Sequence, residues 1–250
     1  LKLAIKPCHY EIIYHSIDLD NFVFSGTCKL HCKALEASNT IQLHALELQI
    51  ASSTILEKKD GTKQTATSYR YHRRNQTVDI SFETNLQVDQ DYILTMDFQG
   101  ILNDQMCGLY RSTYTDIHGN SKIMATTQFE ATDARRAFPC ADEPAWKATF
   151  QLTVTVPSHL QCISNTPMAT THTALKDGAA FKSVTYQMTP KMSTYLLALV
   201  VGEFDGIATT SNNIVTTVYT APGKAHQAEF CLDTASRCLN LYQELFQVPY

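Results

Sequence analysis

Apolar and polar residues alternate along most of this chain. In Gly26–Ala34, Cys28, Leu30, Cys32 and Ala34 fall on one side, and Thr27, Lys29, His31 and Lys33 on the other. Successive side chains of a strand point to opposite faces, so this is the period of a half-exposed strand. Ile41–Leu48 and Ser53–Leu56 continue the pattern. Val78, Ile80 and Phe82 make the next apolar face, then Tyr92, Leu94, Met96 and Phe98. Lys59–Asp60–Gly61 is a turn signal, with Asp-Gly favouring a hairpin. Later, Phe150, Leu152, Val154 and Val156 alternate with Gln151, Thr153 and Thr155 until Pro157 ends the strand. Val184, Tyr186 and Met188 line another strand, and Ile214–Thr220 is one more. Tyr195–Val201 is almost continuously apolar, which predicts a strand buried on both faces. Strands at this spacing, with no helical period between them, predict an antiparallel sandwich or a large curved antiparallel sheet.

Near the end the period changes. From Ala225 on, Phe230, Thr234, Cys238, Leu241 and Leu245 recur at helical spacing, with Pro222 and Gly223 before them and Pro249 after. The change near residue 205 divides the chain into a mainly β domain, 1–204, and a strand-plus-helix segment, 205–250. The sequence shows no internal repeat and no low-complexity segment.

Composition narrows the picture further. Of the 250 residues, 44% are apolar and 18% charged, which supports a sizeable core. The net charge of −4 comes with no basic block, so no nucleic-acid surface is expected. No apolar run approaches the ~18 residues of a membrane helix. Leu1 is not an initiator methionine, which leaves room for an upstream signal or anchor. The eight cysteines form no C-x-x-C pair. Cys28 and Cys32 share a strand face but lie roughly 13 Å apart, beyond disulfide reach. Scattered cysteines of this kind point to a reducing compartment, hence a cytoplasmic protein. The sequon Asn75–Gln76–Thr77 points the other way, to the extracellular ectodomain of an anchored protein.

The chemistry concentrates in Thr126–Phe150, which carries two prolines, Pro139 and Pro144, and a dense set of charges. Thr126–Glu130 should be extended. Gln128 and Glu130 then share a face, with acceptors roughly 7 Å apart, and Phe129 points into the core. A carboxylate there suits a cationic ligand; a merely solvated polar strand face has the same pattern. Asp133, Arg135, Arg136, Asp142 and Glu143 read as a structural ion-pair network bracing the loop rather than as a catalytic acid–base set, since charges held close together need partners. None of the nine histidines has the spacing of a metal-binding helix, no serine sits in a G-x-S-x-G elbow, and no glycine loop could cradle a phosphate.

The stretch TQFEATDARRAFPCADEPAWKATF closely resembles the zinc aminopeptidases of the aminopeptidase N family, and among them the puromycin-sensitive aminopeptidases. The resemblance extends to Ile5–Ile13 (IKPCHYEII), Phe98–Tyr110 (FQGILNDQMCGLY) and Thr189–Phe204 (TPKMSTYLLALVVGEF), in the family's order. It implies a saddle-like N-terminal β domain followed by the start of a thermolysin-like catalytic domain, truncated before the zinc motif. It implies removal of N-terminal residues from peptides, with zinc in the complete enzyme. Glu130 would bind the substrate's α-ammonium and Gln128 would line the pocket for the first side chain. The family's G-x-M-E-N loop and H-E-x-x-H helix, where two histidines hold zinc and the glutamate acts as general base, are not in this sequence. No catalytic or metal residue is therefore expected on this chain, which should bind no zinc and be inactive without its catalytic domain. The expected partners are a peptide N-terminus and that domain. The rival reading is a non-enzymatic aminopeptidase-like scaffold or interaction module.

Overall fold

The computed structural model describes residues 3–176 and 178–250. Its largest sheet has nine strands. Eight run in the order Met168–Lys176, Ala179–Tyr186, Thr149–Pro157, Ile5–Asp18, Val23–Ala34, Asp91–Ile101, Ile55–Lys58 and Lys63–Thr65, and the short Gln49–Ile50 also pairs with Asp91–Ile101. A three-stranded sheet orders Thr40–His44, Thr77–Ser81 and Ser68–His72, and a four-stranded one Gly108–Thr115, Ser121–Gln128, Leu199–Gly202 and Gln161–Ser164. Asp205–Ser211 and Ile214–Thr220 form a separate hairpin. The chain is mainly β, with one α-helix, Glu229–Phe246.

The alternation places the core where the sequence predicts it. Tyr10, Ile12 and Tyr14 of the first strand, Cys28, Leu30 and Cys32 of the second, Tyr92, Leu94, Met96 and Phe98, and Phe150, Leu152, Val154 and Val156 are all buried on one side. The Asp-Gly turn joins Ile55–Lys58 to Lys63–Thr65 as an antiparallel hairpin, with Gly61 at φ 86°. That left-handed conformation costs glycine little.

The large sheet is antiparallel as expected, apart from one pair: Ile5–Asp18 and Thr149–Pro157 run parallel, with Tyr10 opposite Phe150. A parallel neighbour requires a long crossover, and here the intervening chain supplies most of the domain. Three expectations need correction. The strand expected through Glu130 ends at Gln128. The expected strand Tyr195–Val201 is a 3-10 turn, Thr194–Leu196, followed by a strand only at Leu199–Gly202; Leu196 is half exposed. Met188 lies beyond the end of Ala179–Tyr186 and is exposed.

Two compact units emerge. One comprises the chain up to Ser112 together with Ala125–Val201; the other comprises Thr113–Met124 with Gly202–Tyr250. In the second unit the helix packs on the hairpin. Asn240 donates to Ser211 Oγ at 2.9 Å and accepts from Asn212 Nδ2 at 2.9 Å. No helix of the described residues is long and apolar enough to cross a membrane.

Candidate functional site

The chain leaves the strand Ser121–Gln128 at Phe129 and enters no further strand until Thr149. The intervening loop is bolted to the large sheet by aromatic side chains. Phe129 is 4% exposed and meets Phe138 edge to face, with centroids 6.2 Å apart. Phe138 in turn packs against Tyr10 and Phe150 of the sheet. Tyr10 Oη accepts from Ala141 N at 3.1 Å, and Tyr14 Oη donates to the Ala137 carbonyl at 3.2 Å. Both phenols are fully buried, which pushes their pKa values up and keeps them neutral.

Charge holds the rest of the loop. Arg135 Nε donates to Asp142 Oδ2 at 2.9 Å in a pair whose side chains are 8% and 1% exposed. The same guanidinium reaches the Asp142 carbonyl and Gln76 Oε1. Thr194 Oγ1 donates to the other Asp142 oxygen at 2.6 Å. Asp142 N donates to His44 Nδ1 at 3.1 Å. Burial, aided by the Arg135 charge, lowers the His44 pKa to about 4, so its ring is neutral and can accept. Arg136 bridges Asp133 and Glu47. Asp133 N closes a turn onto the Phe129 carbonyl at 2.9 Å. Gly108, at φ 70°, lets the loop Asn103–Gly108 approach closely, since a Cβ there would fall 2.6 Å from Arg136 Cβ.

The two expected substrate residues sit at the start of this braced loop. Gln128 and Glu130 are both exposed, and Phe129 between them is buried. Gln128 Nε2 donates to the Glu130 carbonyl at 3.3 Å, and the Glu130–Ala131 peptide bond is cis. Asp133 and Asp142 are committed to arginines, whereas the Glu130 carboxylate makes no ion pair or hydrogen bond with any described residue. The loop therefore presents one uncommitted negative charge on a rigid base. It could receive a cation.

The charged set read from the sequence is brought together as a brace, with Arg135 on Asp142 and Arg136 on Asp133. Its partners His44, Glu47, Gln76 and Thr194 lie far away in sequence and carried no local signal of that role; Glu47 adopts φ 57°.

Comparison with known proteins bears directly on this loop. The profile of the Peptidase M1 N-terminal domain matches residues 6–196, a span that contains it. The chain belongs to the peptidase M1 family. Over 252 aligned positions it is 40% identical to the puromycin-sensitive aminopeptidase of Caenorhabditis elegans, covering 100% of this chain and 26% of that protein. It is 41% identical to aminopeptidase M1-B of Oryza sativa subsp. japonica over 253 positions, covering 100% of this chain and 27% of that protein. Endoplasmic reticulum aminopeptidase 1 of Homo sapiens is 35% identical over 250 positions, covering 98% of this chain and 26% of that protein. The chain thus spans about a quarter of the length of the curated relatives it matches.

Among the described residues, no group of three or more His, Cys, Asp or Glu side chains could hold a metal ion. His44 is engaged with the Asp142 backbone, His31 with Glu11 and His72 with Asp79.

Proposed function

We propose that this chain is the N-terminal portion of an M1 zinc aminopeptidase that removes N-terminal residues from peptides, and that Glu130 pairs with the substrate's α-ammonium. Gln128 lines the pocket for the first side chain. Zinc, its bound water and the general base belong to a catalytic domain whose first strands and helix are residues 205–250. An exopeptidase must measure the distance from the chain terminus to the reacting bond. A fixed carboxylate does this by pairing with a charge that only the terminus carries. The observation that carries the reading is the exposed Glu130, unpaired among the described residues, beside buried Phe129, on a loop whose Asp133, Arg135, Arg136 and Asp142 are held in ion pairs. The eight free thiols suit the reducing compartment expected from the sequence.

The test is Glu130→Gln in the full-length enzyme. Gln keeps the shape and removes the charge. A hydrogen bond to a charged group contributes about 1.5–3 kcal/mol, so kcat/KM for free-amine substrates should fall roughly ten- to a hundredfold with zinc content and fold unchanged. An unchanged kcat/KM would remove the amine-recognition role. A non-enzymatic scaffold would show no zinc-dependent turnover in the full-length wild type.

A further inference from the structure

A concavity lies in the first unit, away from Gln128 and Glu130. The segment Ala45–Ile50 and the hairpin of Ser68–His72 with Thr77–Ser81 enclose a groove of about 710 Å³, within the size range of small-molecule sites. Ser68–His72 is an edge strand of its sheet, and two phenols staple it to the neighbouring segment. Tyr71 Oη accepts from Ile50 N at 3.2 Å, and Tyr69 Oη donates to the Ala51 carbonyl at 3.0 Å. Leu46, Leu48 and Ile50 give the groove an apolar wall.

Its polar groups are unevenly committed. Glu47 faces the groove, but its charge is taken by Arg136, and His72 is held by Asp79 at 2.7 Å. Arg73 also lines the groove, and its guanidinium makes no ion pair or hydrogen bond among the described residues. Gln76 gives its amide oxygen to Arg135, which leaves its amide nitrogen without a partner there. Gln49 and Tyr71 also line the groove; the Gln49 amide makes no hydrogen bond among the described residues, and Tyr71 Oη accepts from Ile50 N without donating its own O–H there. The sum is an apolar wall, one uncommitted cation, uncommitted donors on Gln49, Tyr71 and Gln76, and no uncommitted carboxylate among the described lining residues.

We propose that this groove binds an organic monocarboxylate with an apolar tail. Arg73 pairs with the carboxylate, in the charge-assisted geometry that suits a guanidinium. Gln76 is the nearby donor, and Leu46, Leu48 and Ile50 take the tail. The same chemistry is offered by the last residue of a peptide and by a free short-chain acid.

Three probes on the full-length protein test this by saturation-transfer NMR and calorimetric titration: hexanoate, N-acetyl-leucine and hexanamide. At least one acid should bind, and the uncharged amide should bind at least about tenfold more weakly. Arg73→Gln should weaken the bound acid by a similar factor and leave hexanamide unaffected; Arg73 is exposed, so an unchanged unfolding midpoint will show that the variant folds. Binding of N-acetyl-leucine without hexanoate identifies a peptide terminus as the ligand, and the converse a free acid. The proposal fails if neither acid binds, if hexanamide binds as well as they do, or if Arg73→Gln binds the acids undiminished.

Discussion

Phe129 is buried between two exposed neighbours, so substitutions at adjacent positions should separate stability from recognition. Phe129→Ala removes a ring that packs on Phe138 and should cost about 3–5 kcal/mol in denaturant unfolding. Glu130→Gln, one residue on, should leave the unfolding midpoint alone. The brace behind them has its own signature. Arg135→Met would strand the Asp142 carboxylate in a site where its side chain is 1% exposed. Removing one member of such a pair costs about 3–5 kcal/mol, because the remaining charge loses its compensation. A measured loss below about 1 kcal/mol would mean that the pair is dispensable. His44 makes the same region sensitive to acid. An unfolded histidine takes up a proton below about 6.5, whereas folded His44 does so only near 4. The unfolded state therefore binds more protons between these values, and stability falls as pH drops from 6.5 to 4, by on the order of 2–3 kcal/mol. Burial and the neighbouring His31 also lower the His9 pKa, which adds to the trend. His44→Asn keeps an acceptor without a titrating ring, and its stability should vary less with pH over this interval.

The C-terminal helix lies where helical spacing predicts an element, and most of the apolar stripe that spacing picks out stays uncovered in this chain. Helical spacing singles out Phe230, Thr234, Cys238, Leu241 and Leu245 as an apolar stripe. In the structure Phe230 is 80%, Leu241 56% and Leu245 65% exposed. Leu232, Ala235 and Leu239, on another face, are partly covered, as is Cys238 of the stripe. Both faces carry apolar residues at spacings of three and four, so periodicity cannot choose between them; the hairpin Asp205–Thr220 does. No residue of the helix is buried, and no side chain caps its N-terminus. Helices of this length are marginal without tertiary packing. Amides of Glu229–Phe246 should therefore exchange much faster than those of Ile5–Asp18, where every second side chain is core. Equal protection in a hydrogen-exchange experiment on this chain would contradict that account. The strands were easier to read because a half-buried strand has one apolar face. Alternation says nothing about neighbours, however, so it carries no sign of the parallel pairing of Ile5–Asp18 with Thr149–Pro157.

On the scale of the whole chain, the candidate site could be read as a patch but not as a mechanism. Gln128, Phe129 and Glu130 sort onto opposite faces by strand period alone, whereas the brace that fixes them needs Glu47, 89 residues upstream of Arg136, and His44, 98 residues upstream of Asp142. Long-range partners leave no local trace in sequence. Metal chemistry is a sharper case, because it depends on a complete donor set. A catalytic zinc needs three protein ligands converging within bonding distance of one point. Among the described residues no histidine belongs to a group that could hold a metal ion, and several already have partners. The cysteines that share the buried face, Cys28, Cys32 and Cys140, have thiol pKa values pushed up by burial, which opposes the thiolate form that binds metal. The purified chain should therefore contain well under one zinc per molecule by elemental analysis, and EDTA should leave its unfolding midpoint where it was. It should release no fluorophore from aminoacyl substrates. Stoichiometric zinc that survives dialysis, or a midpoint that drops on chelation, would show that these residues build a metal site of their own and would undo the assignment of zinc to the catalytic domain.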